Sequence, residues 1–301
     1  LGDVYKRQVE DKFTFMTWDS AKAIREKVTA GTKVLIIGAG LIGLKCAEAL
    51  HHLNADITVV DLADRILPSI LDVRAGEIMQ KHIEDKGTKF ILGTSVEQFS
   101  KNSAKLTNGE TVDFDILVIA VGVRPNTELV SDAGGKVEKG IITDLHQQTT
   151  IDNVYAAGDC TVSHDCSSNT DRILALLPNA FMQGEVAGKN MAGEETLYLN
   201  AIPMNAIGFY GLHIITAGSY DGDEDITEDA DKEIYKKLVF KDGLLKGFIL
   251  MGDVARAGIY TSMIKEQIPL TEVDLDLLRD KPQMMMFGKA RREEKLAGKK
   301  H

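Results

Sequence analysis

Long apolar runs, paired cysteines and excess positive charge are all missing from this chain. The longest strongly apolar stretch, Ile116 to Val123, is far too short to cross a bilayer, so no membrane span is expected. Three cysteines, Cys46, Cys160 and Cys166, form no CxxC and are odd in number. That speaks against a disulfide framework, and the simplest reading is a reduced, cytoplasmic setting. With 35 Lys and Arg against 45 Asp and Glu, the net charge of −10 offers nothing to nucleic acid or to an anionic membrane as partner. There is no internal repeat and no low-complexity linker. What remains is ordinary globular composition, 44% hydrophobic and 27% charged over 301 residues, with room for two domains.

The most informative stretch runs from Lys33 to Asp61 and reads as strand, glycine turn, helix, strand. An apolar run, Val34 to Ile37, enters Gly38-Ala39-Gly40-Leu41-Ile42-Gly43; a helical segment continues to Leu53, and a second apolar run, Ile57 to Val60, ends on Asp61. Each glycine has its own task in such a unit. Gly38 lets the chain turn off the strand, Gly40 lets a pyrophosphate approach the backbone, and Gly43 lets the helix pack closely. N–H groups at the helix start then face the phosphates. Ile42, Cys46, Ala49, Leu50 and Leu53 are expected on the face against the sheet. The carboxylate of Asp61 suits the two hydroxyls of an adenine ribose and would repel a 2′-phosphate, which favours NADH over NADPH.

Around this unit, Thr17 to Val28 reads as a surface helix capped by Asp19 or Ser20, and Val73 to Lys86 as a helix stopping at Gly87. Lys89 to Leu92, Ser95 to Phe99, Ala104 to Thr107 and Thr111 to Phe114 suggest a small antiparallel meander turning at Asn108-Gly109. Asp115 to Gly122 reads as a central strand buried on both faces. Val154 to Ala157 reads as a strand leaving the sheet at Gly158-Asp159, and Pro178 as the first position of a helix stopping near Gly193. In the last third, Phe209 to Tyr220, Ile234 to Phe240 and Leu245 to Met251 read as strands, with a hairpin at Lys241-Asp242-Gly243, followed by a helix from Ala255 to Gln267.

Several reactive-looking residues find bland readings. The acidic run Asp221 to Asp231 lacks EF-hand order and reads as a solvated loop. Met284 to Met286 read as core or contact surface, and Lys289 to His301 as a frayed, solvated helix. His51 and His52 sit at a helix end, His213 reads as structural, and His164, Asp165 and Cys166 have no triad or ligand spacing. Cys160 reads as small buried filler. No catalytic nucleophile and no metal site is expected. The opening is unusual: the chain starts on Leu1, and Asp3 to Gln8, DVYKRQ, is what translation of a transposase adapter end would give, so residues 1–8 read as a library scar on an N-terminally truncated chain.

The ordered set of Gly38 to Gly43, Asp61, AVGVRPN at 120–126, VYAAGDC at 154–160 and LLPNAFMQGEVAGKNMAG resembles the FAD-dependent pyridine-nucleotide oxidoreductases with two dinucleotide-binding domains. KLVFKDGLLKGFILMGDVARAGIYTSMI is similar to the C-terminal domain of NADH:rubredoxin reductases and nitrite reductase large subunits. The resemblance covers roughly residues 10 to 285. It implies an α/β flavoprotein fold with a Rossmann-like NADH domain (9–122, with its lead-in), the C-terminal half of a FAD domain (123–195) and a small α+β C-terminal domain with tail (196–301). It further implies that Gly38, Ala39, Gly40, Leu41, Ile42, Gly43 and Asp61 hold NADH, with Gly122 beside the nicotinamide half. Gly158 and Asp159 would meet a ribityl hydroxyl of FAD. Pro178, Asn179 and Ala180 would start the helix that points at the flavin and favours its reduced state. In that family a first FAD-binding βαβ unit precedes the NADH domain; it is not found here, so this chain alone would hold flavin weakly or not at all. Lys45 stands where many relatives have a glutamate, with plain surface exposure as the alternative. The leading reading is hydride transfer from NADH to FAD and onward to a small redox protein or partner subunit. An NADH oxidase or CoA-disulfide-type reductase, and a non-catalytic NADH-binding sensor, are the alternatives. The acceptor and the oligomeric state, a homo-oligomer included, are left open.

Overall fold

Short runs of β-branched residues bury well only with a strand on each side and a helix above, because every backbone N–H and C=O then has a partner. In the computed structural model, which describes residues 9–297, the N-terminal runs meet this condition. The suspected scar at residues 1–8 lies outside the described residues. The chain divides into two compact units, one holding the residues up to Val123 together with Gly208–Leu212, the other holding Arg124–Ile207 and the residues from His213 on.

In the first unit, the strands β1 (Lys12–Phe13), β2 (Lys33–Ile37), β3 (Asp56–Val60), β4 (Lys89–Ile91) and β8 (Ile116–Ile119) build a parallel sheet of order β1-β8-β2-β3-β4, with helices α1 (Trp18–Lys27), α2 (Leu41–His51) and α3 (Val73–Glu84) connecting the first four in turn. Register positions the site: Ile37 lies opposite both Val60 and Ile119. Gly38, Asp61 and Ala120 therefore leave the sheet at one carboxyl edge. The chain's neighbours diverge there, with β3 on one side of β2 and β8 on the other, which is where open α/β sheets bind ligands. Between β4 and β8 in the chain, β5 (Val96–Phe99), β6 (Ser103–Leu106) and β7 (Thr111–Asp113) form an antiparallel meander of three strands; Lys89 to Leu92, expected as part of it, instead pairs parallel with β3 as β4, because the crossover through α3 returns the chain in the direction of β3. Phe99 and Phe114 meet edge to face at 6.4 Å in a core shared with Leu35, Val60 and Leu117.

Two local readings need correction. The N-cap of α1 is Thr17, whose hydroxyl accepts the Ser20 N–H at 3.1 Å, so Asp19 falls inside the first turn. The buried face of α2 consists of Gly43, Leu44, Cys46, Ala47 and Leu50, while Ala49 is exposed and Ile42 only half-buried. The expected stripe was rotated because an alanine fits either face equally well.

In the second unit, α4 (Glu128–Ser131) precedes β9 (Ile141–Ile142), β10 (Thr161–Asp165) and β11 (Thr170–Arg172), a three-stranded sheet of order β11-β10-β9, and then α5 (Leu177–Met191). Val154 to Ala157, expected as a strand, makes only one isolated bridge, Gln148 with Tyr155; apolar sequence alone gives no strand without a continuous neighbour. A five-stranded sheet follows, order β12-β13-β16-β15-β14, from β12 (Met204–Phe209), β13 (Leu212–Gly218), β14 (Asp223–Asp229), β15 (Ile234–Lys241) and β16 (Leu244–Met251), of which Gly208, Phe209 and Leu212 at the β12–β13 turn belong to the first unit. The run expected as one strand from Phe209 to Tyr220 is broken by a tight turn with positive φ at Tyr210 and Gly211. The acidic run is not a loop but edge strand β14, whose mostly exposed carboxylates guard the open edge. Helix α6 (Ala257–Lys265) lays Tyr260, Met263 and Ile264 on Leu238 and Phe248. Of the methionine triplet, Met286 is core and Met285 is exposed. After α7 (Leu275–Asp280), the tail helix α8 (Lys289–Ala297) is tethered rather than simply solvated: Arg291 pairs with Glu272 at 2.7 Å and Lys295 with Glu266 at 2.8 Å.

Candidate functional site

The three glycines of the turn between β2 and α2 are required for different reasons. Gly38 has φ +115°, its N–H donates to Val60 O at 2.8 Å, and a Cβ there would lie 2.3 Å from Ala120 O. A Cβ on Gly43 would come within 1.9 Å of Gly38 O, so this glycine closes the turn on itself rather than merely easing helix onto sheet. Gly40 is different. Its φ of −84° and ψ of −173° suit any residue, and a Cβ there would meet nothing within 4 Å. Nothing in the fold demands glycine at this position, whereas a ligand lying against the backbone would.

Gly40 is also the N-cap of α2 and supplies no side-chain cap, whereas α1 and α3 are capped by Thr17 and Asp72. The first-turn N–H groups of α2, Leu41 to Gly43, are left without intrahelical partners and carry the positive end of the helix dipole. Beside them the Asp61 carboxylate is already part of the turn: Oδ2 accepts the Ala39 N–H at 2.6 Å and Oδ1 the Ala63 N–H at 2.8 Å. Each oxygen keeps a further acceptor direction, and the residue is only half-buried. The exit of β8 adds Gly122 at φ +102° between exposed Val121 and Val123, again with open space at its Cα.

In the second unit, Gly158 has φ +90° and its N–H donates to Gln183 Oε1 at 2.6 Å. Asp159 is exposed and has no hydrogen-bond or ion-pair partner among the described residues. Helix α5 begins without a side-chain cap, with exposed Pro178 in its first turn and half-buried Ala180 one turn in. The Asn179 side chain turns inward, fully buried, donating to Ile202 O at 3.0 Å and accepting from the Tyr198 hydroxyl at 2.9 Å. Only the backbone of Asn179 is presented at the helix start. The residue that sequence reading missed is Gln183, which is buried and donates to Ser163 Oγ while holding Gly158. A glutamine one turn beyond Asn179 on the buried face was the available signal.

The remaining reactive groups are quiet. Burial pushes the Cys46 thiol up to about 12 and raises that of Cys166 as well, so neither is poised as a thiolate. Cys160 is half-buried and directs its thiol at Ala157 O, 3.6 Å away. His213 is exposed on β13. Among the described residues, no cluster of three or more His, Cys, Asp or Glu could hold a metal, and no helix is long and apolar enough to cross a membrane. A cavity of about 1100 Å³ in the second unit runs beside Ser163, His164, Cys166 and Arg172 without touching Gly158, Asp159 or the start of α5.

With this geometry in place, similarity to known proteins carries the assignment further. Residues 5–184 match the family described as pyridine nucleotide-disulphide oxidoreductase, and residues 203–268 match the rubredoxin NAD+ reductase C-terminal domain. The chain is 32% identical over 266 residues to the NADH-dependent phenylglyoxylate dehydrogenase subunit epsilon of Aromatoleum evansii, covering 85% of this chain and 63% of that protein. To the rubredoxin-NAD(+) reductase of Acinetobacter baylyi it is 30% identical over 267 residues, 85% of this chain and 64% of that one. The chain thus spans under two thirds of the length of either relative. Among solved structures, an NAD-dependent persulfide reductase from A. fulgidus superimposes with a TM-score of 0.79 at 25% identity, over 90% of this chain and 56% of its own. The chain belongs to the pyridine nucleotide-disulphide oxidoreductase family, and its C-terminal part to the rubredoxin NAD+ reductase C-terminal domain.

Proposed function

We propose that this chain serves an NADH-dependent flavoprotein oxidoreductase that moves a hydride from NADH to FAD and passes electrons to a redox protein or partner subunit. The observation that carries the reading is Gly40: a glycine with unstrained backbone, open space and an uncapped helix start behind it, one strand away from a half-exposed carboxylate. The pyrophosphate of NADH fits the N–H groups of Leu41 to Gly43, and the free acceptor directions of Asp61 fit the adenine ribose hydroxyls. A 2′-phosphate would face that carboxylate, so NADH is preferred over NADPH. Gly122, in open space at the exit of β8, belongs to the nicotinamide half.

For flavin the residues also fit: Asp159 is an exposed carboxylate without a partner among the described residues, and α5 starts without a side-chain cap. Asp159 would accept a ribityl hydroxyl, and the backbone at Pro178, Asn179 and Ala180 would stabilise negative charge. FAD, when bound, supplies the capacity to take up a hydride and release electrons. Gln183 keeps Gly158 in place for this, and the inward side chain of Asn179 anchors the helix. The match at 203–268 to a rubredoxin-reductase domain supports an electron-transfer role over an NADH oxidase or a CoA-disulfide-type reductase. We place the reaction in the cytoplasm, where the three free cysteines stay reduced.

The test is spectroscopic. Titrating the protein with NADH and with NADPH should change nicotinamide fluorescence with a tighter constant for NADH. With FAD in large excess, to offset the weak hold expected of this chain alone, NADH should bleach the visible band of the protein-bound flavin. Bound flavin that NADH leaves unbleached would reduce the protein to an NADH-binding module, and absence of NADH binding would refute the assignment.

A further inference from the structure

The turn between β12 and β13 contains an unusual residue. Tyr210 has φ +50°, a conformation that bulky residues avoid, and Gly211 follows at φ +89°. An aromatic side chain persists there only when its surroundings over-determine it, and a cost of this kind points to a role. The surroundings are explicit, and all lie in the same compact unit as the glycine turn. Lys45 Nζ donates to Gly208 O at 2.5 Å and stands 5.1 Å over the Phe209 ring. Glu48 Oε1 accepts the Tyr210 N–H at 2.6 Å, while its Oε2 pairs with Lys45 at the same distance. The Tyr210 carbonyl meets His82 Nε2 at 3.2 Å, its hydroxyl meets Thr88 Oγ1 at 3.1 Å, and its ring packs edge-on against His51 at 5.2 Å.

Lys45, Glu48 and His51 are spaced i, i+3, i+6 on α2, the helix whose first turn follows Gly40. That helix rests on β2 and β3 through Gly43, Leu44, Cys46, Ala47 and Leu50. Its other side is gripped by the Gly208–Tyr210 turn, with polarity fixed: position 45 must donate and position 48 must accept. We propose that Lys45 and Glu48 are positioning residues for the dinucleotide, which through the Gly208–Tyr210 turn set the placement of the helix start that receives the pyrophosphate. This rests on the NADH reading above. It gives Lys45 a defined role in place of simple surface exposure.

The test exchanges the pair, Lys45→Glu with Glu48→Lys. The exchange keeps an i,i+3 ion pair, in the orientation helices prefer, yet places an acceptor against Gly208 O and a donor against the Tyr210 N–H. NADH affinity, read by nicotinamide fluorescence, should fall about three- to tenfold, and Lys45→Arg, which preserves the donor, should bind as the parent does. If the exchanged protein does not fold, Lys45→Met serves instead and should show a smaller loss. An exchanged protein that binds NADH as tightly as the parent overturns the inference while leaving the NADH reading intact. A parent that binds no NADH overturns both.

Discussion

The carboxylate of Asp61 and the backbone N–H of Ala39 lie 2.6 Å apart, so the acidic residue at the end of β3 holds the glycine turn at the end of β2 from across the sheet edge. Its two oxygens pin Ala39 and Ala63, and in the function proposed above the acceptor directions left over are those offered to the ribose hydroxyls.

Replacing Asp61 with alanine should therefore do two things. NADH binding should weaken by about tenfold or more as a charge-assisted acceptor is lost, and discrimination against NADPH should relax. The turn should also lose about 1–3 kcal/mol of support, because two N–H groups are left seeking partners. Parallel fluorescence titrations with both nucleotides check the first effect and urea melts the second. Unchanged affinities for both nucleotides would remove Asp61 from the site.

The glycines should separate fold from function. Gly38→Ala and Gly43→Ala drive a methyl into backbone at 2.3 and 1.9 Å, so both should destabilise the protein by about 2–4 kcal/mol. Gly40→Ala meets only open space and should change stability by no more than about 0.5 kcal/mol while sharply lowering NADH affinity. Thermal melts alongside nucleotide titrations distinguish the two outcomes, and a Gly40→Ala protein that binds normally would contradict the proposed ligand path.

Gln183→Leu should leave the Gly158 N–H and Ser163 without their shared partner at a buried position. A loss of about 1–3 kcal/mol is expected in urea unfolding, together with weaker FAD retention. A variant as stable as the parent would mean that the hydrogen bonds of Gln183 contribute little.

Stability should also decline at alkaline pH. Burial raises the Cys46 thiol from 9.0 to about 12, so the native state holds its proton after the unfolded chain has released it. The stabilising contribution is complete below pH 9.0 and is lost as pH rises from there towards about 12. The slope from this group approaches about 1.4 kcal/mol per pH unit. Comparing urea melts of the parent and Cys46→Ala across that range isolates it, since the variant should lack that part of the decline.

Much of the first unit was legible because its residues interact within a short span of chain. The run from Lys33 to Asp61 encodes strand, turn, helix and strand by local periodicity and by glycines whose backbone demands are intrinsic. Gly109, Gly193 and Pro178 likewise mark their turns and helix ends without outside help. Failures fell where a partner distant in sequence decides. Val154 to Ala157 has strand chemistry but no continuous neighbour to pair with. Residues 223–229 look like a solvated loop, yet β15 recruits them as its edge partner. Tyr210 gives no sign of a turn, because a tyrosine at positive φ is permitted only by its neighbours.

The sequence by itself determined the glycine turn, the acidic strand end and the order of motifs that marks the family, because these depend on backbone freedom, charge and periodicity that each residue carries with it. Only the tertiary structure decided that Asp61 holds Ala39, that Gln183 holds Gly158, and that Lys45 and Glu48 grip the turn at Tyr210. Those bonds join residues 22, 25, 163 and 162 positions apart, and a hydrogen bond over such a span exists only once sheet register and helix packing have brought donor and acceptor to about 3 Å.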